Sequence, residues 1–328
     1  MASDFQYAEG RRIKLTNAQR RQISRLYQKV ADEIAQAAKR LEGRENISAV
    51  MRRAYLDDLL KEIEGNVEAL NQQLEGIIRE NMLAVSTVVV ENNVRNLKKI
   101  GIDLSQAYFY VPKDVIEEVV TGKIYQGRWT LSKAIWGDSK QTIKDLHIVV
   151  AKGIAENKSA YDIAKDLEKY VNPKARKTWE WSKVYPGTKK VIDYNAQRLA
   201  RTMVSHAYEE SFVRVTKNNP FLNAYQWLPS NSDRVCPVCK ERATQDKYGL
   251  GRGIYPKDKL PLDHPNGMCT FRAVRSQSYK QIADDLAAWV KGTGSREMNK
   301  KLNAFARDLL QRDNSATKMV KKSIIFLK

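Results

Sequence analysis

No proline occurs before Pro112, and across that span apolar residues recur at three- and four-residue steps, so the first third of the chain is committed to long helices. Ile23, Leu26, Tyr27, Val30, Ile34, Ala37 and Leu41 form one stripe, with Thr16 as its expected N-cap and Gly43 as its stop. Ser48 caps a second pattern, in which Met51, Tyr55, Leu59, Ile63, Val67, Leu70, Leu74 and Ile77 keep the same spacing. Gly65 and Gly76 weaken that period without breaking it. Two such helices predict a hairpin of coiled-coil character, built to pack on itself or on a partner. The polar stretch Met1–Gly10 is expected to be fixed only by a partner.

Beyond this point the pattern shortens. Gly101 to Pro112 reads as a loop or short strand, followed by helices over Asp114–Thr121, Ser132–Trp136, Lys140–Ala155 and Ser159–Val171, the last stopped by Asn172-Pro173. Asp193–Lys217 is again helical, Ala224–Leu228 is a strand, and Tyr279–Lys291 and Arg296–Leu310 are helices. The tail from Asn314 is basic and then apolar at Ile324-Ile325-Phe326-Leu327, the composition of a docking peptide. The predicted class is mainly α. It comprises a long helical hairpin over 1–111, a helical middle domain over 112–222, a small α+β module stapled by metal over 223–276, and helices with a tail over 277–328. No run approaches the ~18–20 consecutive apolar residues of a membrane span, and no signal peptide opens the sequence.

Lys and Arg number 57 against 38 Asp and Glu, a formal net charge of +19. That balance favours a polyanionic partner: nucleic acid, an acidic protein surface or an anionic membrane, the first two foremost. Basic residues concentrate at Arg11–Arg25, Lys174–Lys190 and Lys318–Lys328. In the middle run, Lys174, Arg176, Lys177, Lys183, Lys189 and Lys190 surround Trp179, Trp181 and Tyr185. Interleaved cations and aromatics grip a nucleic-acid backbone and stack its bases, and they also describe a surface loop pinned by its tryptophans.

All three cysteines fall in one stretch: Cys236-x2-Cys239, then 24 residues, then His264-x4-Cys269. A pair of cysteines two residues apart, closed by a histidine and a third cysteine, is the pattern of a tetrahedral structural zinc site; buried apolar thiols are the alternative. Clustered cysteines argue against a secreted disulfide framework and for synthesis in a reducing cytoplasm. Pro237 shapes the turn, Lys240, Arg242 and Arg234 offset thiolate charge, and Gly249, Gly251 and Gly253 permit a flexible excursion in the long insertion. Four protein ligands leave no place for a reacting water, so the metal is expected to be structural. Asp263-His264-x-Asn266 also suits the first half of an HNH-like metal-dependent nuclease, in which a histidine is general base. However, His147 and His206 are the only other histidines and none follows His264. His206 reads as a helix-packing residue, and neither a Gly-x-Ser-x-Gly nor a phosphate-binding glycine loop occurs, so no catalytic set is expected.

The segment from Trp129 to Val274 resembles the bacteriophage minor head, or head-morphogenesis, proteins typified by the phage Mu minor head protein. Leu131-Ser132 with Ile135-Trp136, then Ala200-Arg201-Thr202, are similar to two of its boxes. Trp227, Asp233, Cys236-Pro237-Val238-Cys239, Leu262-Asp263-His264-Pro265-Asn266 and Cys269-Thr270 follow its C-terminal signature. Met203 stands where the family commonly has glutamate, and Gly267 where it often has a further cysteine. The resemblance implies a low-copy virion component associated with the portal and with other capsid proteins, made in the host cytoplasm. It also implies contact with packaged DNA or help in its ejection.

Overall fold

A computed structural model describes residues 4–40, 48–99, 108, 111–127, 130–156, 158–172, 192–230 and 235–308. The architecture is mainly helical with one small antiparallel sheet. Its elements are α1 (Asp4–Lys39), α2 (Ala49–Lys98), α3 (Val111–Val120), α4 (Leu131–Ala155), α5 (Ala160–Val171), α6 (Ile192–Thr216), β1 (Leu222–Leu228), α7 (Pro237–Thr244), β2 (Ile254–Pro256), β3 (Thr270–Arg275) and α8 (Tyr279–Val290), with a further helix, α9, over 296–308. No described helix is long and apolar enough to cross a membrane. The chain divides into two units, Met1–Leu15 with Met82–Glu118 and Thr202–Lys328, and Thr16–Asn81 with Val119–Arg201.

The second unit holds the hairpin as predicted. Asn81 donates to Gln22 at 3.1 Å and Arg40 pairs with Glu62, two contacts whose residue numbers nearly share a sum, as antiparallel helices require. Ile23, Val30 and Ile34 of α1, and Leu56, Ile63, Val67, Leu70 and Leu74 of α2, are buried. Ser48 caps α2 by accepting the Met51 N–H at 3.2 Å. Packed in the same unit are α4, which Thr130 caps, and α5, which Ser159 caps. A Cβ at Gly153 would lie 2.5 Å from Ile163, so glycine sets how closely α4 and α5 approach. Farther along the same two helices the Tyr170 hydroxyl donates to buried Asp145 at 2.7 Å.

Three expectations are corrected. Thr16 is not an N-cap: α1 begins by Asp4, and Thr16 lies buried inside it. Ala8, Arg12, Thr16, Gln19 and Ile23 form one buried stripe at helical spacing, so the hydrophobic pattern faded where the core stripe is polar. The region expected to wait for a partner is therefore helical from Asp4 on. The breaks expected between Ser132–Trp136 and Lys140–Ala155 are also missing. One helix runs through, because Gly137 costs only a fraction of what a proline would.

In the first unit β1 is the central strand, in the order β2-β1-β3. Tyr225 pairs with Tyr255 on one side and Ala273 on the other. The buried face carries Tyr225 and Phe271, which pack edgewise against Phe212 of α6. The glycine-rich insertion is a correction too. Instead of a free excursion it is pinned, with Gly253 accepting the Trp227 N–H at 2.8 Å and its own N–H bound to Gln245. Gly253 has φ +67, and a Cβ there would lie 2.6 Å from the Ala243 carbonyl oxygen, so no other residue fits.

Candidate metal centre

Cys236 is the N-cap of α7. Its Sγ accepts the Cys239 N–H at 3.4 Å, and Pro237 follows at a position where no N–H is needed. The cysteine pair thus sits on a helix N-terminus, whose N–H groups and dipole favour anions. The Cys239 N–H, aided by the nearby His264 ring, pulls the Cys236 thiol below the ordinary range. Cys239, one turn on, is buried with Trp227, Tyr255 and Cys269 in a single apolar cluster. Burial raises the thiols of Cys239 and Cys269, which a bound ion would reverse by taking them as thiolates. All three cysteines are free thiols.

His264 points its two nitrogens in opposite directions. Nδ1–H donates to the Pro265 carbonyl at 3.0 Å, and Nε2 lies 3.3 Å from Cys236 Sγ. A carbonyl only accepts, so the proton resides on Nδ1 and the Nε2 lone pair faces the cysteines, as a metal ligand requires. The Pro265 carbonyl also raises the His264 pKa. Cys236, Cys239 and His264 form one group with ligand atoms within 4.8 Å of one another; Cys239, Asp263 and Cys269 form a second. Ligands of a tetrahedral zinc centre stand about 3.5–3.8 Å apart. The predicted quartet is therefore gathered around Cys239, which belongs to both groups, while Cys269 keeps company with Asp263. The arrangement is compatible with a metal ion.

Asp263 is the residue that the spacing argument left out of the ligand set. Its buried carboxylate accepts the His264 N–H at 2.8 Å and the Cys269 N–H at 3.2 Å, tying the two later ligands together, and Oδ1 stands 3.9 Å from Cys239 Sγ. The glycine at 267 now has a local reason: a Cβ there would sit 1.9 Å from Asp263 Oδ2, so this carboxylate position excludes any side chain.

A polar stripe on α6 carries the loop. Thr202, Ser205, His206 and Glu209 recur at the spacing of one helical face. Thr202 accepts the Asn266 N–H at 2.8 Å, Ser205 donates to the Gly267 carbonyl at 3.2 Å, His206 Nε2–H donates to the Asp263 carbonyl at 3.1 Å, and Glu209 accepts the Asp263 N–H at 3.2 Å. Burial keeps His206 neutral by lowering its pKa, and burial beside Asp263 raises that of Glu209 well above the carboxylate range. Arg12 of α1, about 1% exposed, donates to Glu9, to Ser205 and to the Met268 carbonyl, the last at 3.0 Å. His206 is thus a positioning residue as well as a buried one. Arg12, Ser205 and Glu209 escaped the sequence reading; the available signal was four polar residues recurring on one face of α6.

Arg242 stacks over Trp227 at 4.9 Å and donates to the Leu262 carbonyl at 3.1 Å, two residues before His264. Lys174, Arg176, Lys177, Lys183, Lys189, Lys190 and Arg234 lie outside the described residues. In the first basic run Arg11, Lys14, Arg20, Arg21 and Arg25 are exposed. No family model, curated protein or solved structure matches this chain.

Proposed function

We propose that Cys236, Cys239, His264 and Cys269 bind one structural zinc ion, and that the chain is a portal-associated minor head protein of a tailed bacteriophage. The observation that carries this reading is where the signature-like residues meet. Trp227, Cys236, Cys239, Asp263, His264 and Cys269 are spread over 43 positions of sequence, yet they lie close together, with Asn266 of the same loop bonded to Thr202 of the second box. Residues that share a resemblance and a site are expected to share a role. Three thiolates and an imidazole suit zinc, and four protein donors leave no open position for substrate. Such an ion contributes on the order of 10 kcal/mol to the fold of a small module.

A nuclease needs His264 free to take a proton, and its Nε2 is turned toward Cys236 instead. Contact with packaged DNA is the second reading, favoured by the net charge of +19 and the exposed cations of α1. Crosslinking of purified particles tests the main reading: this chain should crosslink to the portal, and its absence from the particles would overturn the assignment. Filter binding tests the second. Affinity for duplex DNA should be indifferent to sequence and fall steeply between low and moderate salt as counterions are released. Failure to bind at low salt would remove it.

A further inference from the structure

Within the first unit, α8, a short turn and α9 are held together by caps and by packing. Ser278 caps α8 in a full capping box, and Ser295 opens α9 by accepting the Met298 N–H at 3.3 Å. Gly292, at φ +74, turns the chain between the two helices. Ile282 of α8 and Leu302 of α9 are buried in one cluster with Phe221, and the Trp289 Nε1–H donates to Asn303 Oδ1 at 2.9 Å.

That frame holds one face of α9 outward. Arg296, Asn299, Lys300, Asn303 and Arg307 recur at three- and four-residue steps, which places them within about a third of the helix circumference. With Gly294 they line a shallow depression of about 530 Å³. Arg296, Lys300, Asn303 and Arg307 are exposed, while Leu302 and Phe305 are buried on the opposite side. The two acids of α9 fall roughly 100° round the helix and are engaged there, Glu297 with Lys301 at 2.7 Å and Asp308 with Asn218 at 2.8 Å. The three cations of the face have no acidic partner among the described residues.

The amides decide what this face can recognise. Asn303 Oδ1 is taken by Trp289, and Asn299 Nδ2 donates to the Gly294 carbonyl at 2.9 Å. Neither side chain can offer the paired donor and acceptor with which an asparagine reads adenine. What remains is positive charge and N–H donors, spread over about 16 Å of helix axis, and their complement is a row of anionic acceptors. A duplex backbone supplies one such charge per ~1.7 Å of its axis, and its major groove, about 12 Å wide, admits a helix. We propose that α9 docks on duplex DNA through Arg296, Lys300 and Arg307, with phosphates as the ligands and no base preference. This surface rests on the second functional reading, contact with DNA, and gives that contact its place in the chain.

The test measures binding of the full-length chain to a short duplex of arbitrary sequence over a range of salt. In the triple variant Arg296→Gln, Lys300→Gln, Arg307→Gln, the slope of log affinity against log salt should become shallower by about 2–3. Affinity at low salt should fall at least about tenfold, with thermal unfolding unchanged. The charge-conserving set Arg296→Lys, Lys300→Arg, Arg307→Lys should bind as the parent does; a loss equal to that of the glutamine set would overturn the phosphate role. Removing the same charge from α1, by Arg11→Gln, Arg21→Gln, Arg25→Gln, should cost less. Equal losses in the two triple variants would reduce the effect to net charge and overturn the α9 assignment. If the parent binds and the α9 variant binds equally well, this surface is wrong and the DNA reading stands. A parent that fails to bind at low salt overturns both. Tighter binding to polyglutamate than to the duplex, lost in the same α9 variant, would overturn DNA in favour of an acidic protein surface.

Discussion

At the scale of the residue, the centre depends on one carboxylate that is not in the cysteine pattern. Asp263 brackets His264 and Cys269, and Gly267 leaves it room. Gly267→Ala should therefore cost about 1–3 kcal/mol in thermal or urea unfolding and weaken metal retention, because the methyl must displace the carboxylate. Glu209 provides a pH test. Its folded pKa is raised above the unfolded value of about 4.3, so the stability linked to its proton is complete at low pH and drains away as pH rises through the folded pKa. Glu209→Gln keeps an acceptor for the Asp263 N–H and carries no charge. Its stability relative to the parent should increase from about pH 5 to about pH 8 in urea unfolding, and a constant difference would contradict the assignment. The four proposed ligands were legible because thiols are scarce and their spacing is diagnostic. Asp263, Glu209 and Arg12 were not, since a buried polar residue in an amphipathic helix has the same one-letter signature as a solvated one.

At the scale of the element, the same substitution should have opposite signs at two glycines. Gly65 is exposed within α2 with nothing within 4 Å of a built Cβ, so Gly65→Ala should stabilise by about 0.5–1 kcal/mol through helix propensity alone. Gly153→Ala would press a methyl to 2.5 Å from Ile163 and should destabilise by about 1–3 kcal/mol as α4 and α5 are forced apart. Thermal unfolding of both variants checks the pair. Helices with an apolar stripe and a hydroxyl cap, such as α2 and α5, were readable from sequence, whereas α4 was read as two pieces on either side of Gly137. The start of α1 was not, because its buried stripe passes through Arg12, Thr16 and Gln19. The strands β2 and β3 were missed for a different reason: three and six residues are too few for alternation to rise above noise, and both are fixed by pairing with β1.

At the scale of the whole molecule, each unit is assembled from segments far apart in sequence, and α1, α2 and α6 contribute to both. Periodicity reports which face of a helix is buried but not what buries it, so such an assembly leaves no mark in the hydrophobic pattern. The candidate metal loop is tied to distant parts of the first unit: Arg12 near the start of the chain donates to the Met268 carbonyl, and α6 carries the loop on four side chains. Removing the ion with a chelator should therefore loosen the first unit beyond the cysteine loop itself, seen as faster hydrogen exchange in residues 9–15 and 202–209, and acid should do the same by protonating the thiolates. The central claim is the ion. Elemental analysis of the chain purified without added metal, under reducing conditions, measures it most directly: one zinc per chain is predicted, falling to a small fraction in Cys239→Ser. A parent chain that is folded and free of zinc, and that takes up none on titration, would contradict the account.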